Sequence, residues 1–377
     1  MENQYGSTLA VTLEGSEFGT PITKTASISQ LAVLFMIHAA ASWCLMYFLP
    51  SKFVFTLIIP ATFYSLFGFI VFSPLISGGW PFAPPFGNWR PESGFWKPGL
   101  LTTLLVCVLT VLGPILSVNV FPKIPLFPVG IWWGIILFAV TLWYGLTWNG
   151  WPLNQIASPA IRCFGGAAII IIISVLLWTQ VNLSGTPFAG KSYDPKGPLQ
   201  AEWLFGCLVW IIAWMQIFSN AACFQQWPFY KMKKPWCELA TTAVIITLGY
   251  FTWTISLRYL SPTFSSAAIA GSLIGVIYFH GAVFGLYPFG KYKQPLRGIL
   301  CLALNLVCVC LWIPLVKLMM QPILLKVQAL GLPFDSNVLA VMYTLHFVAL
   351  TITAHLFFFL RAPLPPAGPP LPPEEII

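Results

Sequence analysis

Between residues 28 and 360 the sequence is a succession of apolar runs, each about twenty residues long and separated by short connections rich in proline, glycine and charge. A run of that length spans the hydrocarbon core of a bilayer only as a helix, because lipid offers no partner for backbone N–H and C=O groups. Ten segments qualify, at 28–49, 53–75, 100–121, 129–148, 161–183, 202–224, 236–260, 264–287, 296–319 and 338–360. The expected fold is therefore an all-α integral membrane protein of about ten transmembrane helices. Charged residues make up 7% of the chain against roughly a quarter in soluble domains, which is what a surface turned to lipid requires.

Three regions follow: a polar arm at 1–27, a helical domain at 28–361 and a proline-rich tail at 362–377. No cleavable leader is expected, since the first apolar run lacks a small-residue cleavage site and stays as the first span. Eleven of the 18 basic residues fall on the side shared by the two ends, so both termini are expected in the cytoplasm and the chain in the cell membrane. Scattered between spans rather than gathered in a block, these charges serve topology, and nucleic acid is not an expected partner. Partners are the lipid bilayer and, through the two polar arms, other proteins.

One pattern recurs in the cytoplasmic connections: Trp80-Pro81-Phe82, Trp151-Pro152-Leu153, Trp227-Pro228-Phe229 and Tyr287-Pro288-Phe289. A second proline follows seven residues after the first in the last three copies, at Pro159, Pro235 and Pro295, and after a longer insert at Pro98 in the first. The first proline is expected to end the incoming helix and the second to sit in the first turn of the outgoing one, where its missing N–H costs nothing. The reading is a set of repeated two-helix hairpins, with Arg361-Ala362-Pro363 beginning a fifth. Eight residues before each first proline stands Ser73, Tyr144, Asn220, His280 or His355, a polar row at equal depth. Polar residues at such depth either line a path or bond helix to helix.

All four histidines lie inside spans, where ionisable groups are costly and point to function. His38, His280, His346 and His355, with Tyr144 and Asn220, are the candidate residues for a proton, quinone or solute path. His346 and His355 are nine positions apart, which turns them to opposite faces of one helix. No cofactor is demanded by the sequence; haem ligation by the depth-matched pair His280 and His355, or a quinone head group on a histidine, is compatible with it.

All ten carboxylates fall in termini, connections or helix ends, which weakens a cation carrier built on a buried acid. Glu202 and Glu238 occupy first helical turns, where they complement the helix dipole. With Lys234 beside it, Glu238 is placed at the inner mouth. The nine cysteines form no C-x-x-C and read as packing residues, and no nucleotide, hydrolase or metalloprotease motif occurs. Catalysis by this chain alone, or a metal site, is not expected. Gly271 and Gly275 form G-x-x-x-G, a helix-contact motif, while Gly165-Gly166 and Gly113-Pro114 allow close packing or a kink. The expected function is that of a membrane subunit of a respiratory or energy-coupling complex, anchoring partner subunits and offering a quinone or proton path. The alternative is a transporter of a small neutral or aromatic solute.

Overall fold

The computed structural model describes residues 26–73, 75–82, 96–120, 123–125, 129–219, 223–332, 334–359, 361 and 363–364. Most of the amino arm, most of the carboxyl tail and Asn220 lie outside these residues. Among the described residues the chain is almost wholly helical, and nine helices are long and apolar enough to cross a membrane. These are α1 (Ile28–Phe48), α2 (Ser51–Val71), α3 (Trp96–Val120), α5 (Pro159–Trp178), α6 (Ala201–Phe218), α7 (Trp236–Ser256), α8 (Phe264–Val283), α9 (Leu296–Ala329) and α10 (Ser336–Phe358). A shorter apolar helix, α4 (Ile131–Thr147), lies between α3 and α5.

Burial alternates along the chain. The best apolar window is 67% buried in α2, α6, α8 and α10, but 28% or less in α1, α3, α5, α7 and α9. α4 joins the first set, with Ile131, Ile136, Leu137, Val140 and Leu142 all in the core. Packing follows the same division: α2 meets α4, α4 meets α6, α6 meets α8, α8 meets α10, and α10 returns to α2. Five even-numbered helices thus close an inner ring. The odd-numbered helices lie outside it, α3 against α2 and α10, α5 against α4 and α2, α7 chiefly against α6, and α9 against α8 and α10. Their exposed faces carry large apolar side chains such as Ile37, Leu104, Phe164, Ile172, Phe251 and Leu318.

Polar bonds join the two layers. The indole N–H of Trp143 donates to Thr242 Oγ1, Trp214 to Thr252 Oγ1 and Trp312 to Thr344 Oγ1, each at 3.0 Å. Within the ring, Trp210 donates to Ser265 Oγ at 3.0 Å. Gly271 and Gly275 present their bare backbones to Val341 and Thr344, so the G-x-x-x-G face of α8 seats α10, as its motif implies. π-Helical segments lie in ring helices at Val54–Ile58, Trp143–Thr147, Phe264–Ala270, Phe279–Val283 and Met342–Ala349. Such widened turns concentrate at functional sites.

Two expectations are corrected. The span expected to end at residue 319 continues to Ala329, through Pro314 and Pro322. It persists because Ile323 and Val327 are fully buried, while Lys326 Nζ donates to the Tyr47 carbonyl at 2.9 Å and Trp43 Nε1 to that of Met319 at 2.9 Å, strapping the extension to α1. The first proline of each connection, in turn, does not end the incoming helix: α4 stops at Thr147, ahead of Pro152. Left-handed residues follow within two positions of the ends of α4 and α8, at Asn149-Gly150 and Gly285-Leu286, whereas α2 and α6 stop seven residues before their left-handed pairs. Pro159 opens α5 as expected, whereas Pro235 and Pro295 stand one residue before their helices.

The connection from α5 to α6 is tied by a parallel pairing of β1 (Val181–Asn182) with β2 (Leu199–Gln200). Asp194 organises it, its carboxylate accepting from the backbone N–H of Gly190 at 2.8 Å, Lys196 at 3.1 Å and Leu183 at 3.2 Å. The Gly190 bond above all, with those from Leu183 and Lys196 and the Lys196 charge, holds the Asp194 pKa below the usual carboxylate value against the opposing effect of burial. A depressed folded pKa gives stability that is complete above about pH 4 and lost as pH falls through the folded value. Hydrogen exchange in residues 183–197 is expected to accelerate on acidification, and Asp194→Asn to exchange faster than wild type at pH 7; identical exchange in the two proteins at pH 7 refutes the bracing role.

Candidate functional site

Four connections share one local geometry. Two consecutive residues take left-handed backbone angles, Gly78-Gly79, Asn149-Gly150, Gln225-Gln226 and Gly285-Leu286, and an aromatic residue in a cis peptide bond with proline follows each pair. In the last three, the aromatic N–H returns to the carbonyl three residues back, Trp151 to Trp148 at 2.9 Å, Trp227 to Phe224 at 2.9 Å and Tyr287 to Phe284 at 3.1 Å. Positive φ at both central positions defines a type I′ turn. Arg361 is also left-handed, and Leu364 N–H donates to its carbonyl at 2.9 Å, as Phe229 does to Gln226 and Phe289 to Leu286.

These turns explain most of the polar row. The carbonyls of Tyr144, His280 and His355 accept from the N–H six residues on, at Gly150, Leu286 and Arg361. The Tyr144 hydroxyl donates to the Gly150 carbonyl at 2.9 Å, and His280 Nε2 to that of Tyr287 at 2.9 Å. Ser73 Oγ accepts from Leu75 N–H at 3.1 Å. Three members of the row therefore close their own turns, where buried backbone groups need partners. His355 alone of the four described turns to another helix, and Asn220 is outside the described residues.

The histidines fall in three places. His38 Nε2 and His355 Nδ1 lie 2.8 Å apart, joining the first span to the last. One nitrogen donates and the other accepts, so a single proton bridges the pair. The structure pairs His355 with His38 and not with His280, which sits at its turn. His346 occupies the third place, on the opposite side of α10 from His355, inside a π-helical segment and 6% exposed.

His346 looks into the ring. Its imidazole is 4.0 Å from the Phe63 ring centroid on α2 and 6.4 Å from that of Phe138 on α4. Since α4 does not adjoin α10 in the ring order, a side chain that touches α2 and α4 together points across the interior. His346 Nδ1 is 3.1 Å from Thr62 Oγ1, and that hydroxyl donates its one hydrogen to the Ile59 carbonyl at 2.7 Å. The hydroxyl oxygen is therefore the acceptor, Nδ1 carries hydrogen, and neutral His346 keeps its lone pair on Nε2. Nε2 is thus left as a hydrogen-bond acceptor, with no carboxylate bonded to the imidazole among the described residues.

At the polar ends, Glu238 is 2% exposed and 3.6 Å from Lys234 Nζ, the one ion pair among the described residues, with Oε2 unpartnered. A cluster missed by sequence reading lies where α8 gives way to α9: Arg297, Cys223, Cys301 and Asn305, each 1% exposed or less, beside His280. Arg297 was legible only as a topological charge, and nothing in its spacing from Pro295 marks it as buried. No group of three metal-ligating side chains occurs among the described residues.

Fold and site together define a class: an all-helical chain of multi-pass membrane character with buried polar groups both in the inner ring of helices and on the helices packed around it. No protein-family model, curated protein or solved structure matches this chain.

Proposed function

We propose that this chain is a multi-pass membrane subunit of an energy-coupling complex, in which the inner ring carries protons or seats a quinone head group at His346. The observation that carries the reading is His346 itself, an imidazole of fixed tautomer turned into a closed ring of helices. The His38–His355 pair supports it as a second proton-sharing element where the outer helix α1 meets α10. In this reading α4 is a tenth span, the left-handed aromatic-proline turns mark duplicated hairpins gathered on the cytoplasmic side of the cell membrane, and both arms reach partner subunits from that side.

Vesicles reconstituted with the purified chain test the path. Under a potassium diffusion potential, an internal pH dye is expected to report proton entry that His38→Leu and His355→Leu each slow several-fold. Extraction in mild detergent followed by native mass spectrometry is expected to find the chain with other subunits. A lone chain that moves no protons overturns both parts.

A second reading, a carrier of a small neutral or aromatic solute, is favoured by one observation: buried polar atoms on or next to ring helices lack partners, among them Thr147 Oγ1, Gln225 Oε1 and Ser272 Oγ. A solute with hydroxyl or amide groups satisfies such atoms.

A further inference from the structure

Arg297 is the second residue of α9 and is 1% exposed. Its Nη1 reaches the Gly290 carbonyl at a long 3.5 Å, and Nε and Nη2 have no partner. No carboxylate answers the charge, because the ion pair among the described residues joins Lys234 to Glu238. A buried guanidinium left with unsatisfied N–H groups is strongly unfavourable, and its ordinary remedy is an anion. The vacant groups form the side-on edge of the guanidinium, two parallel N–H bonds spaced to meet two oxygens of one carboxylate or phosphate.

The surroundings define the rest of the site. Asn305 Nδ2 donates to Cys223 Sγ at 3.5 Å, and the Cys223 and Cys301 thiols neighbour one another beside the guanidinium. Gln294 fixes the turn, its Nε2 donating to the Cys223 carbonyl at 2.8 Å and its Oε1 accepting from Gly298 N–H at 3.2 Å. His280 faces Asn305, and its Nδ1 is the third buried polar atom of the cluster without a hydrogen-bond partner, after Arg297 Nε and Nη2. A cation is repelled here, and the two parallel N–H bonds match the paired oxygens of one oxyanion better than a single spherical halide.

We propose that Arg297 holds an oxyanion, the carboxylate or phosphate group of a small solute or of a lipid headgroup, bound side-on at the junction of α8 and α9. The site is independent of proton passage at His346, and its test reads binding rather than flux.

The full chain in nanodiscs of phosphatidylcholine is titrated with inorganic phosphate, acetate and, at matched ionic strength, chloride, following the thermal midpoint and retention of radiolabelled phosphate. Saturable stabilisation by phosphate or acetate but not chloride is expected, with loss of the response in Arg297→Gln and at least tenfold weaker apparent affinity in Arg297→Lys, which keeps the charge without the fork. If stabilisation instead requires phosphatidylglycerol in the disc, the oxyanion comes from lipid and the proposal stands with that source. Absence of a saturable response to phosphate, acetate and anionic lipid alike in wild type overturns it, as does an unchanged response in Arg297→Gln. Label retention by wild type keeps the proposal open to refutation even where the variants do not fold.

Discussion

Leucine at Gly249 is expected to abolish recovery of folded protein, the largest structural effect of any single substitution in the α6–α7 contact. Gly249 of α7 lies against α6 so closely that an added Cβ would stand 2.9 Å from the backbone N and Cα of Ile211. Backbone cannot swing aside as a side chain can. The contact is reciprocal, for Gly206 of α6 makes room for the indole of Trp253, which is 1% exposed. Each helix offers a glycine to the bulky residue of the other, and together they form a close seam between the two layers. Overpacking a rigid core commonly costs about 1–3 kcal/mol for a small increment, and leucine against main chain exceeds that. Size exclusion and thermal unfolding in detergent are the measurements. Gly249→Ala is expected to fold with a lowered midpoint, Gly249→Leu to aggregate, and Gly113→Leu, whose Cβ meets nothing within 4 Å, to behave as wild type. A normal midpoint for Gly249→Leu would contradict this account of the seam.

That seam also shows where sequence reading stops. Helix existence was legible, because twenty apolar residues between prolines and charges admit one backbone solution in lipid. The G-x-x-x-G of α8 was legible because both glycines share one helix face. Gly206 and Gly249 were not, since each is a lone glycine whose meaning depends on a bulky residue in another helix. The ring itself is set by pairings such as Thr62 with His346, 284 residues apart, which no local pattern records. The overshoot of α9 past Pro322 had a similar cause, burial of Ile323 and Val327 outweighing the loss of one backbone bond.

The candidate site divides in the same way. Intramembrane histidines stand out in the sequence by their cost, but their direction does not. Eight-residue spacing to proline placed Tyr144, His280 and His355 at one depth, and that depth proved to be the site of turn closure for the first two. The π-helical segments around Tyr144, His280 and His346 leave no trace in composition, because one wide turn changes the facing of side chains without changing their order. The nine-residue offset of His346 from His355 did survive: the two imidazoles serve different neighbours, Thr62 on α2 and His38 on α1.

If protons pass through the ring, His346 is the group whose loss is felt most. Its Nδ1–H is committed to Thr62, so Nε2 is the atom that takes and releases a proton, and a relay needs that cycle at every passage. Leucine fills the space between Phe63 and Phe138 without leaving a buried polar group, so His346→Leu is expected to fold normally and to slow proton entry into vesicles by about 100-fold or more, the scale of a lost general base. Glutamine separates proton transfer from hydrogen bonding, since its amide still donates to Thr62 but does not titrate. His346→Gln is therefore expected to be as slow as His346→Leu, while Thr62→Val, which frees the tautomer but keeps the imidazole, is expected to lose only about tenfold. Wild-type flux in His346→Gln would show that the imidazole serves as a hydrogen-bond donor and not as a proton carrier. The ring interior would then belong to the solute reading, with Thr62, Phe63 and Phe138 forming the wall of a binding site.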